Sequence, residues 1–135
     1  MKITGIIERN DNNYYQISSP DELEGHGLGG YGYSVEEAKE DFFRSIEEAR
    51  EMIKEEKGEL PAGMSGIEVE FKYDIPSFFN YFDWINVSAF AKKAGINESK
   101  MRAYKSGLAS ASEKTMERIC STIKAMGAEL CSAAL

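Results

Sequence analysis

The sequence contains little cysteine and histidine, and this scarcity argues against several kinds of site. Its two cysteines, Cys120 and Cys131, fall in or beyond the last predicted helix, with neither the close spacing nor the histidine neighbours of a zinc site. We expect them to be reduced, partly buried thiols. The single histidine, His26, has no nearby serine, cysteine or second ligand, so we interpret it as a solvated loop residue and not as a general base. We therefore expect no metal and no cofactor.

Long apolar runs are also missing. No stretch reaches the length of a membrane-spanning helix, and the amino-terminal sequence MKITGIIERND lacks the apolar core of a signal peptide. We expect a cytoplasmic protein that makes no contact with a membrane. With 135 residues, of which 42% are hydrophobic and 29% charged, the chain has the composition of one medium globular domain or two small ones.

Positive charge is scarce in the first part of the chain only. Residues 1–83 contain eight Lys/Arg and nineteen Asp/Glu, a net charge of −11, whereas residues 84–135 contain eight Lys/Arg and four Asp/Glu, a net charge of +4. A basic module joined to an acidic one predicts that the two parts meet different partners.

The first part reads as a small ββ(β)αβ domain over residues 1–75. Residues 3–8 and 14–17 are rich in β-branched and aromatic residues and flank an asparagine-rich turn, which predicts a hairpin. Pro20 and five glycines then predict a long loop, with a third short strand at 30–33. This loop is acidic and lacks the GK(S/T) sequence of a phosphate-binding P-loop. We expect a sheet of antiparallel type.

A long helix and one more strand complete this domain. Ser34 and Glu37 form a capping box, and Gly58 marks the end of the helix. The alternating segment 67–73 predicts the last strand. Six apolar residues recur at helical spacing and predict a buried face, namely Val35, Ala38, Phe42, Ile46, Ala49 and Ile53.

Residues 76–135 read as an all-helical domain, so the fold class is α+β. Pro76 stops the last strand, and Ser77 is expected to cap a short aromatic helix. Ser110 and Glu113 predict the start of the last helix, whose apolar face ends before Gly127. The apolar tail 128–135 is compatible with either a helix or a strand. One interpretation of its apolar character is a contact between two copies in a dimer.

Between these helices, residues 86–107 contain the helix start and stop signals of a helix-turn-helix. Asn86 or Ser88 can cap a first helix, Gly95 ends it, and Asn97 can cap a second helix that Gly107 closes. The second helix buries Met101 and Tyr104 and turns polar and cationic residues outward. Such a surface suits the major groove of DNA, the alternative being an ordinary helical hairpin with a solvated charged face. The outward residues are Glu98, Ser99, Lys100, Arg102, Ala103 and Lys105.

Three segments, 19–25, 32–38 and 89–107, resemble the HicB family of antitoxins. Residues 32–38 are similar to the family's "T/S-L-E-E-A" helix start, and residues 89–107 resemble the helix-turn-helix of Cro/Xre-type repressors that many HicB proteins carry. Within 19–25, Leu-Glu-Gly at 23–25 replaces the family's usual Leu-Pro-Gly. The resemblance implies a partial RNase H-like amino-terminal domain.

The resemblance also implies a function. The acidic domain would cover a small, basic HicA-like RNase toxin, and the complex would repress its own promoter as a homodimer or higher homo-oligomer on double-stranded operator DNA. Matching the repressor pattern to this chain directs Glu98, Ser99, Arg102 and Ala103 toward bases and Asn97, Lys100 and Lys105 toward phosphates. The candidate toxin-binding residues are Asp21, Glu22, Glu24, Tyr31 and Tyr33.

Two other functions are open at this point. An RNase H-like fold suggests metal-dependent hydrolysis, but Glu8, Glu68 and Glu70 form a poor set of ligands because most acids lie on the exposed helix face. We therefore expect no enzyme activity. The remaining alternative is a stand-alone transcriptional regulator whose amino-terminal domain dimerises or senses a ligand.

Overall fold

The computed structural model describes all 135 residues and contains one four-stranded sheet and five helices. The chain divides into two compact units, Met1–Tyr81 and Phe82–Leu135. None of the helices is both long enough and apolar enough to cross a membrane. The elements are β1 (Lys2–Arg9), β2 (Tyr15–Leu23), β3 (His26–Gly32), α1 (Val35–Lys57), β4 (Glu68–Tyr73), α2 (Ile75–Tyr81), α3 (Val87–Ala94), α4 (Glu98–Ser106) and α5 (Glu113–Ser132).

The sheet of the first unit is mixed, which corrects the antiparallel type expected from the sequence. Its strand order is β3-β2-β1-β4, with antiparallel pairing of β1 with β2 and of β2 with β3. β4 pairs parallel with β1, so that Ile3 lies opposite Val69 and Ile7 opposite Tyr73. The 23 residues of α1 carry the chain back to its starting end before β4 begins, and this crossover makes the two strands parallel.

The glycine-rich segment contains the third strand predicted at 30–33, but that strand begins earlier and occupies much of the stretch expected to be a loop. β2 continues past Pro20 to Leu23, and β3 starts at His26, which is therefore a strand residue and not a loop residue. The ladder is irregular between Ser18 and Glu22, so Pro20 lies where a missing N–H does not interrupt regular pairing.

Two glycines of β3 allow α1 to lie directly on the strand. A Cβ atom on Gly30 would come within 2.5 Å of Ala38 O and Phe42 N, and one on Gly32 within 2.6 Å of Ala38 N. Both distances are too short for any side chain. Close approach of helix to strand, and not loop flexibility, explains these two glycines.

The six apolar residues predicted for α1 are all buried, which confirms that face of the helix. At the start of α1, Ser34 Oγ accepts a hydrogen bond from Glu37 N at 3.1 Å. The Glu37 carboxylate accepts from Tyr33 N at 2.8 Å, one residue before the cap. Gly58 ends the helix in the left-handed region, with φ of 80°.

α2 belongs to the first unit, which places the boundary after Tyr81 and not at residue 75. The helix packs with β1, β4 and α1. Its cap is also different from the expected one, because Asp74 Oδ1 accepts from Ser77 N at 2.8 Å. Ser77 itself is completely buried.

The second unit consists of α3, α4 and α5. The last helix begins at Ser112, whose Oγ accepts from Thr115 N at 3.2 Å, and not at Ser110. It continues through Gly127 to Ser132, so most of the apolar tail is helical. Both cysteines are exposed, which contradicts the partly buried thiols expected.

Candidate functional site

The corner between α3 and α4 is fixed by backbone hydrogen bonds. Gly95 has φ of 69° and ψ of 33°, the left-handed conformation that glycine adopts without strain. Its N–H donates to Lys92 O at 3.3 Å, and Ile96 N donates to Ala91 O at 2.9 Å. These two bonds form a Schellman motif, which ends α3 and turns the chain within a few residues.

The ends of both helices are capped by the residues that the sequence indicates. Asn86 Oδ1 accepts from Ala89 N at 2.9 Å and so begins α3. Asn97 Oδ1 accepts from Ser99 N and Lys100 N at 2.9 and 3.2 Å and so begins α4. Gly107, with φ of 81°, ends α4. Both helices therefore begin and end at residues fixed by hydrogen bonds or by a glycine in the left-handed region.

A small core holds α4 against its neighbours. Phe90 and Ala91 of α3, Met101 of α4 and Ile119 of α5 are all buried. Tyr104 is half-buried, although the sequence predicts a fully buried side chain. Arg118 Nη1 donates to Gly95 O at 3.2 Å, which fastens α5 to the corner.

The outward face of α4 is polar and cationic. Ser99, Lys100, Arg102 and Lys105 are exposed. Arg102 Nη2 donates to Ser99 Oγ at 3.3 Å, which joins two of the candidate base-contacting residues. The surface therefore offers three cations and one hydroxyl on a helix about two and a half turns long.

Three other predicted DNA-contacting residues are less available. Asn97 is exposed, but its amide oxygen already caps the helix. Glu98 and Ala103 are half-buried. Glu98 lies 3.9 Å from both Lys92 and Arg102, so its charge offsets part of the positive charge nearby.

The five candidate toxin-binding residues do not form one cluster. Asp21 Oδ2 accepts from Thr4 N at 2.8 Å, and Glu24 pairs with Lys57 at 3.0 Å, so both have partners within the unit. Glu22 is exposed and lies opposite Gly27, near the hairpin end. These acids lie at one end of the β2–β3 hairpin, and the two tyrosines lie at the other.

The tyrosines belong to an aromatic group that sequence analysis missed in part. Tyr31 and Tyr33 are 53% and 76% exposed. Tyr14 stacks on Tyr31 with ring centroids 6.1 Å apart and meets Tyr33 edge-on at 4.8 Å. Tyr31 lies between Gly30 and Gly32, which face α1, so strand alternation puts it on the opposite face of the sheet, and its ring contacts place Tyr14 and Tyr33 beside it. The sequence predicted strands at 14–17 and 30–33, but it did not indicate that these two segments pair.

The carboxylates considered for hydrolysis are separated. Glu70 lies opposite Thr4, while Glu8 is four positions further along β1, roughly 13 Å away. Glu70 pairs with Lys2 at 3.1 Å. No three His, Cys, Asp or Glu side chains are grouped as metal ligands would be. His26 lies 3.6 Å from Glu56 and has no second ligand.

One cation is enclosed by aromatic rings. Lys39 Nζ lies 3.6 Å from the ring centroid of Tyr81 and 4.5 Å from that of Phe71, and it donates to Tyr73 Oη at 2.6 Å. Burial lowers the pKa of Lys39 and raises the pKa of Tyr73 to about 12. The group ties α1, β4 and α2 together.

Charge is divided unequally between the two units. The first contains eight Lys/Arg and eighteen Asp/Glu, a net charge of −10, and the second contains eight and five, a net charge of +3. No protein-family model, curated protein or solved structure matches this chain.

Proposed function

We propose that this chain is the antitoxin of a type II toxin–antitoxin pair. Its first unit neutralises a small, basic, HicA-like RNase toxin, and its second unit represses the operon. In this proposal α3, the corner and α4 are a helix-turn-helix of the Cro/Xre type, and the first unit is a partial RNase H-like domain. The protein is a binding module and not an enzyme.

The observation that carries the proposal is the α3–α4 corner with its exposed face. The Schellman motif at Gly95 and the cap at Asn97 hold α4 at a set angle to α3, as a recognition helix requires. Met101 of α4 is buried and Tyr104 is half-buried, while Ser99, Lys100, Arg102 and Lys105 are exposed and available to a groove.

Electrostatics support the assignment of α4 to DNA. Lys100 and Lys105 are exposed and have no acidic partner within ion-pair distance, so they are available to phosphate oxygens. Arg102 makes only a 3.9 Å contact with Glu98, which is weak for an ion pair and is easily exchanged for a base edge. Phosphate contacts of this kind position a protein on the duplex.

The first unit supports a different partner. Its net charge of −10 would repel nucleic acid and attract a cationic nuclease, accelerating encounter and disfavouring wrong partners. Its element order, three strands, a long helix and a fourth strand, agrees with the ββ(β)αβ order that the resemblance to HicB implies. We assign toxin binding to Glu22, Tyr31 and Tyr33, which are exposed. Asp21 and Glu24 act mainly within the fold.

Two measurements test the proposal. The chain should co-purify with a small basic protein encoded beside its gene, and the complex should shift DNA from its own promoter. Co-purification without a promoter shift would refute repression. A promoter shift from a gene that lacks such a neighbour would favour a stand-alone regulator, the other function compatible with a helix-turn-helix.

A further inference from the structure

The two edges of the sheet differ in how they are protected. Along β3, alternate backbone N–H groups turn away from β2, and α1 supplies an acceptor for each. The pairs are Gly29 N to Ser45 Oγ at 3.3 Å, Tyr31 N to Asp41 Oδ2 at 2.9 Å and Tyr33 N to Glu37 Oε2 at 2.8 Å. An additional strand would find these donors occupied, so α1 seals this edge.

The β4 edge has no such seal. Glu68 N donates to Met1 O at 2.9 Å and Asp74 N donates to Ile7 O at 3.1 Å, so the even-numbered residues face β1. Val69 and Phe71 consequently turn their N–H and C=O groups outward. No side chain accepts a hydrogen bond from either N–H group. An edge strand in this state is a template for another strand.

Aromatic surface lies beside this open edge. Phe43 is 46% exposed, and its ring meets that of the half-buried Phe71 edge-on at 5.8 Å. On the helix side of this edge, the ammonium group of Lys39 lies 4.5 Å from the ring of Phe71. On the other side β4 presents charges of both signs, Glu68, Glu70 and Lys72, so a purely cationic partner would meet Lys72 as well as the two carboxylates. A second copy of the chain can cover its own apolar surface.

The sequence of β4 is self-complementary in one antiparallel register. With a two-fold axis at Phe71, Glu70 of each copy lies opposite Lys72 of the other, which gives two pairs of opposite charge. Val69 of each copy lies opposite Tyr73 of the other. An axis at Glu70 would place Glu70 against itself, and an axis at Lys72 would place Lys72 against itself. Opposite charges directly across a strand pair are favourable and like charges are not.

We propose that two copies of this chain pair their β4 strands antiparallel around a two-fold axis at Phe71, joining two four-stranded sheets into one. The backbone N–H and C=O groups of the two Phe71 residues supply the central pair of hydrogen bonds, and the aromatic rings of Phe43 and Phe71 meet at the axis. This assembly deepens the proposed function, because it supplies the two-fold dimer that a palindromic operator requires. The interface itself does not depend on DNA binding.

Charge reversal tests the register in the full chain. Lys72→Glu and Glu70→Lys each turn two attractive cross-strand pairs into repulsive ones, and the double variant Glu70→Lys/Lys72→Glu restores them. Lys72→Glu is the primary test, because Glu70→Lys also removes the ion pair of Glu70 with Lys2 within each copy. We expect each single variant to halve the mass of the assembly at a fixed concentration and to raise its dissociation constant about tenfold or more. The double variant should recover the mass of the unmodified protein. Sedimentation equilibrium over a range of concentrations measures both quantities.

Matched controls are Lys54→Glu and Glu55→Lys, which make the same charge changes at exposed positions of α1. Circular dichroism confirms that all variants are folded. An unmodified chain that is monomeric, single variants of unchanged mass, or a double variant that stays dissociated would each overturn the proposal. If the mass behaves as expected but no promoter shift is found, the interface stands and the proposed function fails.

Discussion

Gly30 tests whether α1 lies on the backbone of β3. In Gly30→Ala the new Cβ would come 2.5 Å from Ala38 O and 2.5 Å from Phe42 N. Ordinary contacts of this kind are about 3.5 Å, so α1 has to move by roughly 1 Å. Both nearest atoms are backbone atoms, so no side-chain rotation relieves the clash.

The expected cost is large because the displaced helix carries most of the core. Overpacking a well-packed interior costs about 1–3 kcal/mol, and we expect the upper end here, about 3 kcal/mol, since Phe42 is completely buried under the moving turn. Urea unfolding of Gly30→Ala and of the unmodified protein measures the difference in their free energies of unfolding. The slope of this free energy with urea concentration should be the same for both proteins.

The same strand provides a control. Gly27→Ala adds a Cβ that meets nothing within 4 Å and occupies a conformation without positive φ. It should be neutral, or stabilising by up to about 1 kcal/mol through the unfolded state. Equal stability of the two variants would refute the helix-on-strand contact as the reason for Gly30.

Two further predictions concern buried polar groups in the first unit. Ser77 Oγ is buried without a hydrogen-bond partner, so Ser77→Ala should raise the free energy of unfolding by about 1 kcal/mol, and a loss of stability would show that the hydroxyl has a partner. Burial raises the pKa of Tyr73 to about 12, from about 10 in the unfolded chain, so its contribution to stability is complete below pH 10 and disappears as the pH rises to 12. Because solvent reaches the phenol, we expect this loss to be about 1 kcal/mol in urea unfolding curves and to be missing in Tyr73→Phe. Identical pH dependence of the two proteins would contradict the raised pKa.

Elements with strong local patterns could be predicted from the sequence. The buried face of α1 follows from apolar spacing alone, from Val35 to Ile53. The α3–α4 corner follows from two residues with specific backbone roles, Gly95 and Asn97. In both cases residues close in sequence make the contacts, so the pattern contains the information.

The errors arose where distant contacts decide the structure. The third strand begins at His26, four residues before the predicted segment 30–33, in a stretch whose glycines are typical of a loop. The contact of Gly30 and Gly32 with α1 joins residues distant in sequence, so no local pattern indicates it. Ser112 caps α5 although Ser110 has the more obvious capping box, and nothing in the structure explains this choice. Tyr14 was overlooked as a partner of Tyr31 and Tyr33 since they meet only once β2 and β3 pair.

The direction of β4 is a third case. Charged and apolar residues alternate in 68–73, which indicates a strand. This pattern does not indicate which strand lies beside it or in which direction that strand runs. The parallel pairing with β1 depends on α1, which carries the chain back along the sheet before β4 begins. The sequence therefore does not predict the open β4 edge. It also does not predict the surface proposed for a second copy.

The central claim is that DNA binding and toxin neutralisation are performed by different units. The double variant Lys100→Ala/Arg102→Ala removes two exposed cations of α4 and touches no buried residue. Four phosphate or base contacts are lost per dimer, so we expect promoter affinity to fall by at least about 100-fold, with a smaller dependence on salt. Neutralisation of the co-purifying toxin, measured in the same preparation, should be unchanged. A folded double variant that loses both activities, or that keeps its promoter affinity, would contradict the account.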